Sequence, residues 1–164
     1  RSEEKPSVKF GTSGGAKSSM VSNGSIINGK VENSVISPGV FIEEGAVVKN
    51  SIIFNDTTIR SNTVIDKTII DKEVEIGENC KIGTGDDLTP NKDKPELLSN
   101  GLNVIAKRAS VPANTTIGRN CRIFSYVEKD DFNTEFVPSG STITSESGVQ
   151  IVEGNEDKVK ELNI

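Results

Sequence analysis

The chain has 164 residues, a net charge of -5, 18 isoleucines, 16 valines, five leucines and no histidine. That length predicts one domain with a real core, and the β-branched excess suits pleated strands rather than helices. The lack of histidine excludes Ser-His-Asp and Cys-His catalysis, imidazole metal sites and a His general base, while net acidity argues against a nucleic-acid partner.

Mean hydropathy is -0.35, and no run of about 18 apolar residues offers a membrane span. There is no signal peptide or lipidation motif. Cys80 and Cys121 make neither a metal cluster nor a disulfide framework, and read as reduced, buried thiols of a cytosolic protein. The chain begins at Arg1, and its one methionine is Met20. It therefore reads as an excised piece of something longer, or as a processed product.

The first twenty residues, RSEEKPSVKFGTSGGAKSSM, are rich in Gly, Ser and Lys and are expected to be a linker. Gly14-Gly15 within them reads as flexibility, not as a phosphate loop. Val21, Ile27 and Val31 look like a loose first coil.

A repeat follows. Ile36, Ile42, Val48, Ile53, Ile59, Ile65, Ile70, Ile76 and Ile82 are spaced 6, 6, 5, 6, 6, 5, 6 and 6 apart, so every third one recurs after 17 residues. Two residues before each stands a small or slender one: Ser34, Val40, Ala46, Ser51, Thr57, Thr63, Thr68, Val74 and Cys80. Residues two apart in a strand share a face, so each unit turns one large and one small side chain inward. Three residues after the aliphatic position come Gly39, Gly45, Asp56, Asn62 and Asn79, types that tolerate the positive φ of a tight corner. Three strands and three corners close one triangular coil, and coils stack through parallel ladders about 4.8 Å apart.

The pattern breaks at TGDDLTPNKDKPELLSNG (residues 84–101), polar and interrupted by Pro90 and Pro95, which reads as a loop extruded from one corner. It resumes at Ile105, Val111, Ile117 and Ile123, with small partners Asn103, Ala109, Thr115 and Cys121 and corners at Asn114 and Asn120. Beyond Ile123 the hexads fade. Phe124, Tyr126, Phe132 and Phe136 are expected to cap the open end of the solenoid. Val149 to Val152 reads as a last strand and Asp157 to Leu162 as a short helix, so residues 146–164 form a tail or cap beyond a β-helix domain of residues 21–145.

EIGENCKIG (Glu75–Gly83) and TIGRNCRI (Thr116–Ile123) resemble the hexads of the left-handed β-helix superfamily. Handedness is implied by that resemblance and runs against the usual right-handed crossover. KPSVKF (Lys5–Phe10), MVSNGSIINGKVENSVISPGVFIEEGAVVKNSII (Met20–Ile53) and IIDKEVEIGENCKIG (Ile69–Gly83) resemble the C-terminal domain of glucose-1-phosphate adenylyltransferases, over residues 5 to 145. The expected fold is thus an all-β, single-stranded left-handed parallel β-helix with an extruded loop and a C-terminal cap.

The resemblance implies a parent enzyme that makes ADP-glucose and pyrophosphate from ATP and glucose 1-phosphate with Mg2+, a precursor step of glycogen or starch synthesis. Its chemistry would lie in an N-terminal nucleotidyltransferase domain, with a Gly-rich, Arg-containing nucleotide loop and acidic metal ligands. None of those motifs is in this sequence, so no catalytic, cofactor-binding or metal residue is carried over. The β-helix domain is implied to pack on the catalytic domain, to build a homotetramer and to contribute to allosteric control by phosphorylated metabolites.

Between Val104 and Ile123 the charged residues are Lys107, Arg108, Arg119 and Arg122, with no carboxylate among them. They form a candidate patch for an anionic effector. A solvated solenoid face, or a salt-bridge surface for a neighbouring subunit or domain, is the plainer reading and carries more weight. Glu43-Glu44, Asp86-Asp87 and Asp130-Asp131 read as solvated corners and loops, because strand neighbours point opposite ways. The Ser and Thr column reads as inward hydroxyls bonded to backbone, not as nucleophiles.

Four other readings compete. Hexapeptide acyltransferases and γ-class carbonic anhydrases share the solenoid, but both need histidine. The domain of a different sugar nucleotidyltransferase, such as a mannose-1-phosphate guanylyltransferase, fits the Met20–Ile53 stretch less well. A catalytically silent regulatory paralogue fits it equally.

Overall fold

The structure is a computed structural model that describes residues 4–145. Short strands pair in parallel into three sheets, which form the three faces of a β-solenoid. The first face has six strands, from Lys9–Phe10 to Ser110–Val111. The second has seven, from Gly15–Lys17 to Phe136–Val137. The third has seven, from Met20–Val21 to Thr142–Ile143. Among the described residues no helix is long and apolar enough to cross a membrane.

The 17-residue period is the ladder register. Ile59 pairs with Ile42 on one side and Ile76 on the other, and all three are fully buried. The same stacking joins Val48, Ile65 and Ile82, and Ile36, Ile53 and Ile70. The slender column is buried beside them. Its hydroxyls donate to carbonyls: Thr63 Oγ1 to Gly77 O at 2.7 Å and Thr57 Oγ1 to Asp71 O at 2.8 Å. They also accept from the next coil, as in Cys80 N to Thr63 Oγ1 at 3.1 Å. A hydroxyl can therefore sit in this apolar core without a desolvation penalty. Gly39, Gly45, Asp56, Asn62, Asn79, Asn114 and Asn120 all have positive φ, as the corners require.

Two readings of the sequence need correction. The stretch taken for a linker contains the first coil: Lys9–Phe10, Gly15–Lys17 and Met20–Val21 pair with the coil above. Its glycines signal closeness, not looseness. A Cβ on Gly14 would lie 2.0 Å from Ile27 O, and one on Gly11 would lie 2.2 Å from Asn28 Oδ1.

Second, where the hexads fade after Ile123 the chain goes on coiling instead of forming an aromatic cap. Val137 stacks on Ile117 and Ile143 on Ile123, and Ser110 N donates to Val127 O at 2.8 Å. A 3-10 turn at Lys129–Asp131 lengthens one corner and hides the hexad. Phe124 and Phe132 pack against the core, but Phe136 is exposed on a strand, so the aromatics are part of a further coil rather than a cap. The expected strand at Val149 to Val152 and helix at Asp157 to Leu162 lie outside the described residues.

The polar 84–101 segment is extruded from the corner between the second and third faces, as the sequence predicts, and folds back onto it. Leu98 and Asn91 are buried. Asn91 Nδ2 donates to Asn120 O at 3.0 Å and to Thr142 Oγ1 at 3.1 Å, and Asn120 Nδ2 donates to Thr89 O at 3.1 Å. One buried amide thus ties the loop to two successive coils.

Candidate functional site

The corner that emits the loop also carries a polar ladder. The register sets Glu32, Lys49 and Asp66 one above another, so Asn33, Asn50 and Lys67 share the next position and Asp66 stands one step from the Asn50 column. Asn33 Nδ2 donates to Asn50 Oδ1 at 2.8 Å, and Asn50 Nδ2 donates to Asp66 Oδ1 at 2.9 Å. Arg119 closes the ladder from a higher coil: its Nη2 lies 3.2 Å from Asp66 Oδ2, and its Nε donates to Gly85 O at 2.7 Å. Lys67 donates to Asn100 O at the other root of the loop.

Two hollows open on this corner. A groove of about 700 Å3 runs along the earlier coils, lined by Met20, Val35, Ile52, Asn50, Lys67 and Arg119 among others. A smaller hollow of about 360 Å3 lies under the loop root, lined by Lys49, Lys81, Arg119, Asp66 and the Gly83–Gly85 backbone. Three cations against one carboxylate give it an excess positive charge suited to an anion.

The four cations read from the sequence do not share one place. Lys107 and Arg108 sit at the corner between the third and first faces. There Arg108 pairs with Glu73 and lies 5.9 Å from the Tyr126 ring centroid. The hydrogen bond to Glu73 raises its guanidinium pKa above the ordinary value. Arg119 occupies the loop corner. Arg122 lies between them on the third face, 4.3 Å over the Phe124 ring, and burial pushes its pKa down against the favourable charge of Asp93. The sequence reading missed Lys49, Lys67 and Lys81, which gather round Arg119. Reading outward-facing positions at the 17-residue period would have found Lys49 beside Asp66.

The paired carboxylates serve locally. Glu43 takes Arg60 at 2.9 Å and Ser61 N at 2.8 Å. Asp87 accepts the Thr89 hydroxyl at 2.6 Å and amide at 3.0 Å, which holds its carboxyl below the usual range. Asp131 accepts Glu128 N at 2.8 Å. Cys80 and Cys121 are buried free thiols, and burial pushes both pKa values up.

The family described as "GlmU-like, C-terminal hexapeptide" matches residues 6–105. The chain belongs to this family. Its match begins within the first coil and ends just past the loop, so the hexapeptide domain includes the segment that composition alone presents as a linker. Glucose-1-phosphate adenylyltransferase of Thermomicrobium roseum is 42% identical over 70 residues, 43% of this chain and 16% of that protein. The enzyme of the same name from Acetivibrio thermocellus is 38% identical over 71 residues, again 43% and 16%. That from Pseudothermotoga lettingae is 39% identical over 62 residues, 38% of this chain and 14% of that protein. The matched part of this hexapeptide chain thus spans about one sixth of the length of these relatives.

Proposed function

We propose that this chain is the non-catalytic β-helix domain of an enzyme making ADP-glucose and pyrophosphate from ATP and glucose 1-phosphate, and that it serves assembly and allosteric control. The similarity to three glucose-1-phosphate adenylyltransferases, carried on a solenoid with no histidine, is the observation that supports this reading. ATP and Mg2+ belong to the catalytic domain that would precede it. A phosphorylated metabolite is the effector, and the hollow of Lys49, Lys81 and Arg119 supplies charge of the right sign for it.

The test joins this domain to the sequence encoded upstream. The isolated 164-residue chain should form no ADP-glucose at any ATP or Mg2+ concentration. The longer protein should form it, and should lose its response to phosphorylated effectors, not its basal rate, when Lys81 and Arg119 become alanine. Turnover by the isolated chain, or a longer protein without adenylyltransferase activity, contradicts the reading.

A further inference from the structure

The loop corner has two unlike halves. Over the later coils the 84–101 loop projects and is fixed there. Asn91 is clamped to Asn120 and Thr142, Lys92 N donates to Gly140 O at 3.0 Å, and Leu98 is 5% exposed. Its neighbour Leu97 is 71% exposed, and Leu88 is 51% exposed. A large apolar side chain held out to water by a rigid support loses little further entropy on binding.

Over the earlier coils the same corner is hollowed instead. The groove exposes Met20, Val35 and Ile52, which stack in register on three adjacent coils. Met20 is 72% exposed and Val35 41%. None of the residues lining this groove comes from the molecule's own loop.

Charge completes the fit. The loop carries Asp86, Asp87, Asp93 and Glu96 against Lys92 and Lys94, whereas the groove is edged by Lys67 and Arg119 with one carboxylate, Asp66.

We propose that two copies of this chain pair antiparallel along the loop corner, each seating Leu97 in the partner's groove of Met20, Val35 and Ile52. A two-fold axis perpendicular to the solenoid, near its middle coils, exchanges the later half of the corner with the earlier half. The knob of each copy then falls on the hollow of the other. The contact is isologous and occurs twice. Between the two contacts the outward Ile69 and Val104, in register on the third face, extend the apolar strip. The acidic loop meets the basic groove edge in both, which fixes the antiparallel sense. This rests on the reading of the domain as an assembly module and names the surface that does it.

The test is sedimentation of the full 164-residue chain over a concentration series, with two sets of variants. Leu97→Asp changes an exposed side chain, so at concentrations where both chains are monomeric its melting temperature should match that of the unaltered chain. Two buried leucine contacts are lost per dimer, and the dimer dissociation constant should rise a hundredfold or more. Leu97→Cys and Val35→Cys chains, mixed and oxidised, should give a disulfide-linked dimer, while the buried Cys80 and Cys121 stay unreacted. A dimer that survives Leu97→Asp, or a mixture that does not cross-link, overturns this surface and leaves self-assembly standing. A chain monomeric at every concentration overturns both.

Discussion

Asp66 and Arg119 are 53 residues apart in the chain and 3.2 Å apart in the fold. Their side chains are 19% and 18% exposed. Arg119 also donates to Gly85 O, so one guanidinium joins the polar ladder, a later coil and the root of the loop. Arg119→Ala should cost about 1–2 kcal/mol in urea unfolding, more than an exposed pair, because two bonds in a half-shielded place are lost. Amide exchange should quicken in residues 84–101 before it quickens elsewhere. Uniform acceleration over all coils would show that Arg119 does not hold the loop.

Ile59 is fully buried between Ile42 and Ile76. Ile59→Ala should destabilise by about 2–5 kcal/mol, because a close-packed axis cannot collapse onto the gap. The outward Val64 is 36% exposed, and Val64→Ala should cost about 0.5 kcal/mol. Comparing the two urea midpoints checks the inside-outside assignment, and equal losses would reverse it.

Asn62 stands at a corner with φ of 58°. Asn62→Val should cost about 1–2 kcal/mol, since a β-branched residue resists the left-handed region. Asn62→Gly should change stability by less than about 1 kcal/mol. Gly14→Ala tests a different constraint: its Cβ meets Ile27 O, so the cost of about 1–3 kcal/mol is steric. Thermal melts of the three variants separate the effects.

Burial raises the pKa of both thiols. In the unfolded chain they ionise near about pH 8.5, while in the fold they keep their protons to higher pH. Above pH 8.5 the unfolded state therefore binds fewer protons, and stability falls as pH rises towards the raised folded values. Cys80→Ala should lower stability at pH 7 but flatten this alkaline decline. Alkylation of both thiols should also track global unfolding. Rapid labelling of the native chain would show that they are not enclosed.

Much of the fold was legible because the solenoid repeats one instruction. The steps of 6, 6 and 5 place each isoleucine above another, and the Asn, Asp and Gly corners follow from the φ that a sharp turn imposes. What stayed hidden lies where the instruction is overwritten. Gly11 and Gly14 look like flexibility in composition, yet they let two backbones approach. The turn at Lys129–Asp131 shifts Val137 out of hexad spacing while leaving it in the stack. The loop reads as polar, and nothing in its composition marks Asn91 and Leu98 as its anchors. The cationic site was only half visible. Arg119 stood out by local charge, but Lys49 and Lys81 join it through the 17-residue register, at outward positions where the inward pattern is silent.

The stacked register is the claim from which the groove, the ladder and the loop clamp all follow. Selective labelling of isoleucine δ1 methyls with nuclear Overhauser spectroscopy reads it directly. Cross-peaks should join Ile42 to Ile59 and Ile59 to Ile76, with none from Ile42 to Ile76, as expected for neighbours about 4.8 Å apart and next-nearest coils at twice that. Absence of the first two contacts, or a strong third, would contradict the solenoid.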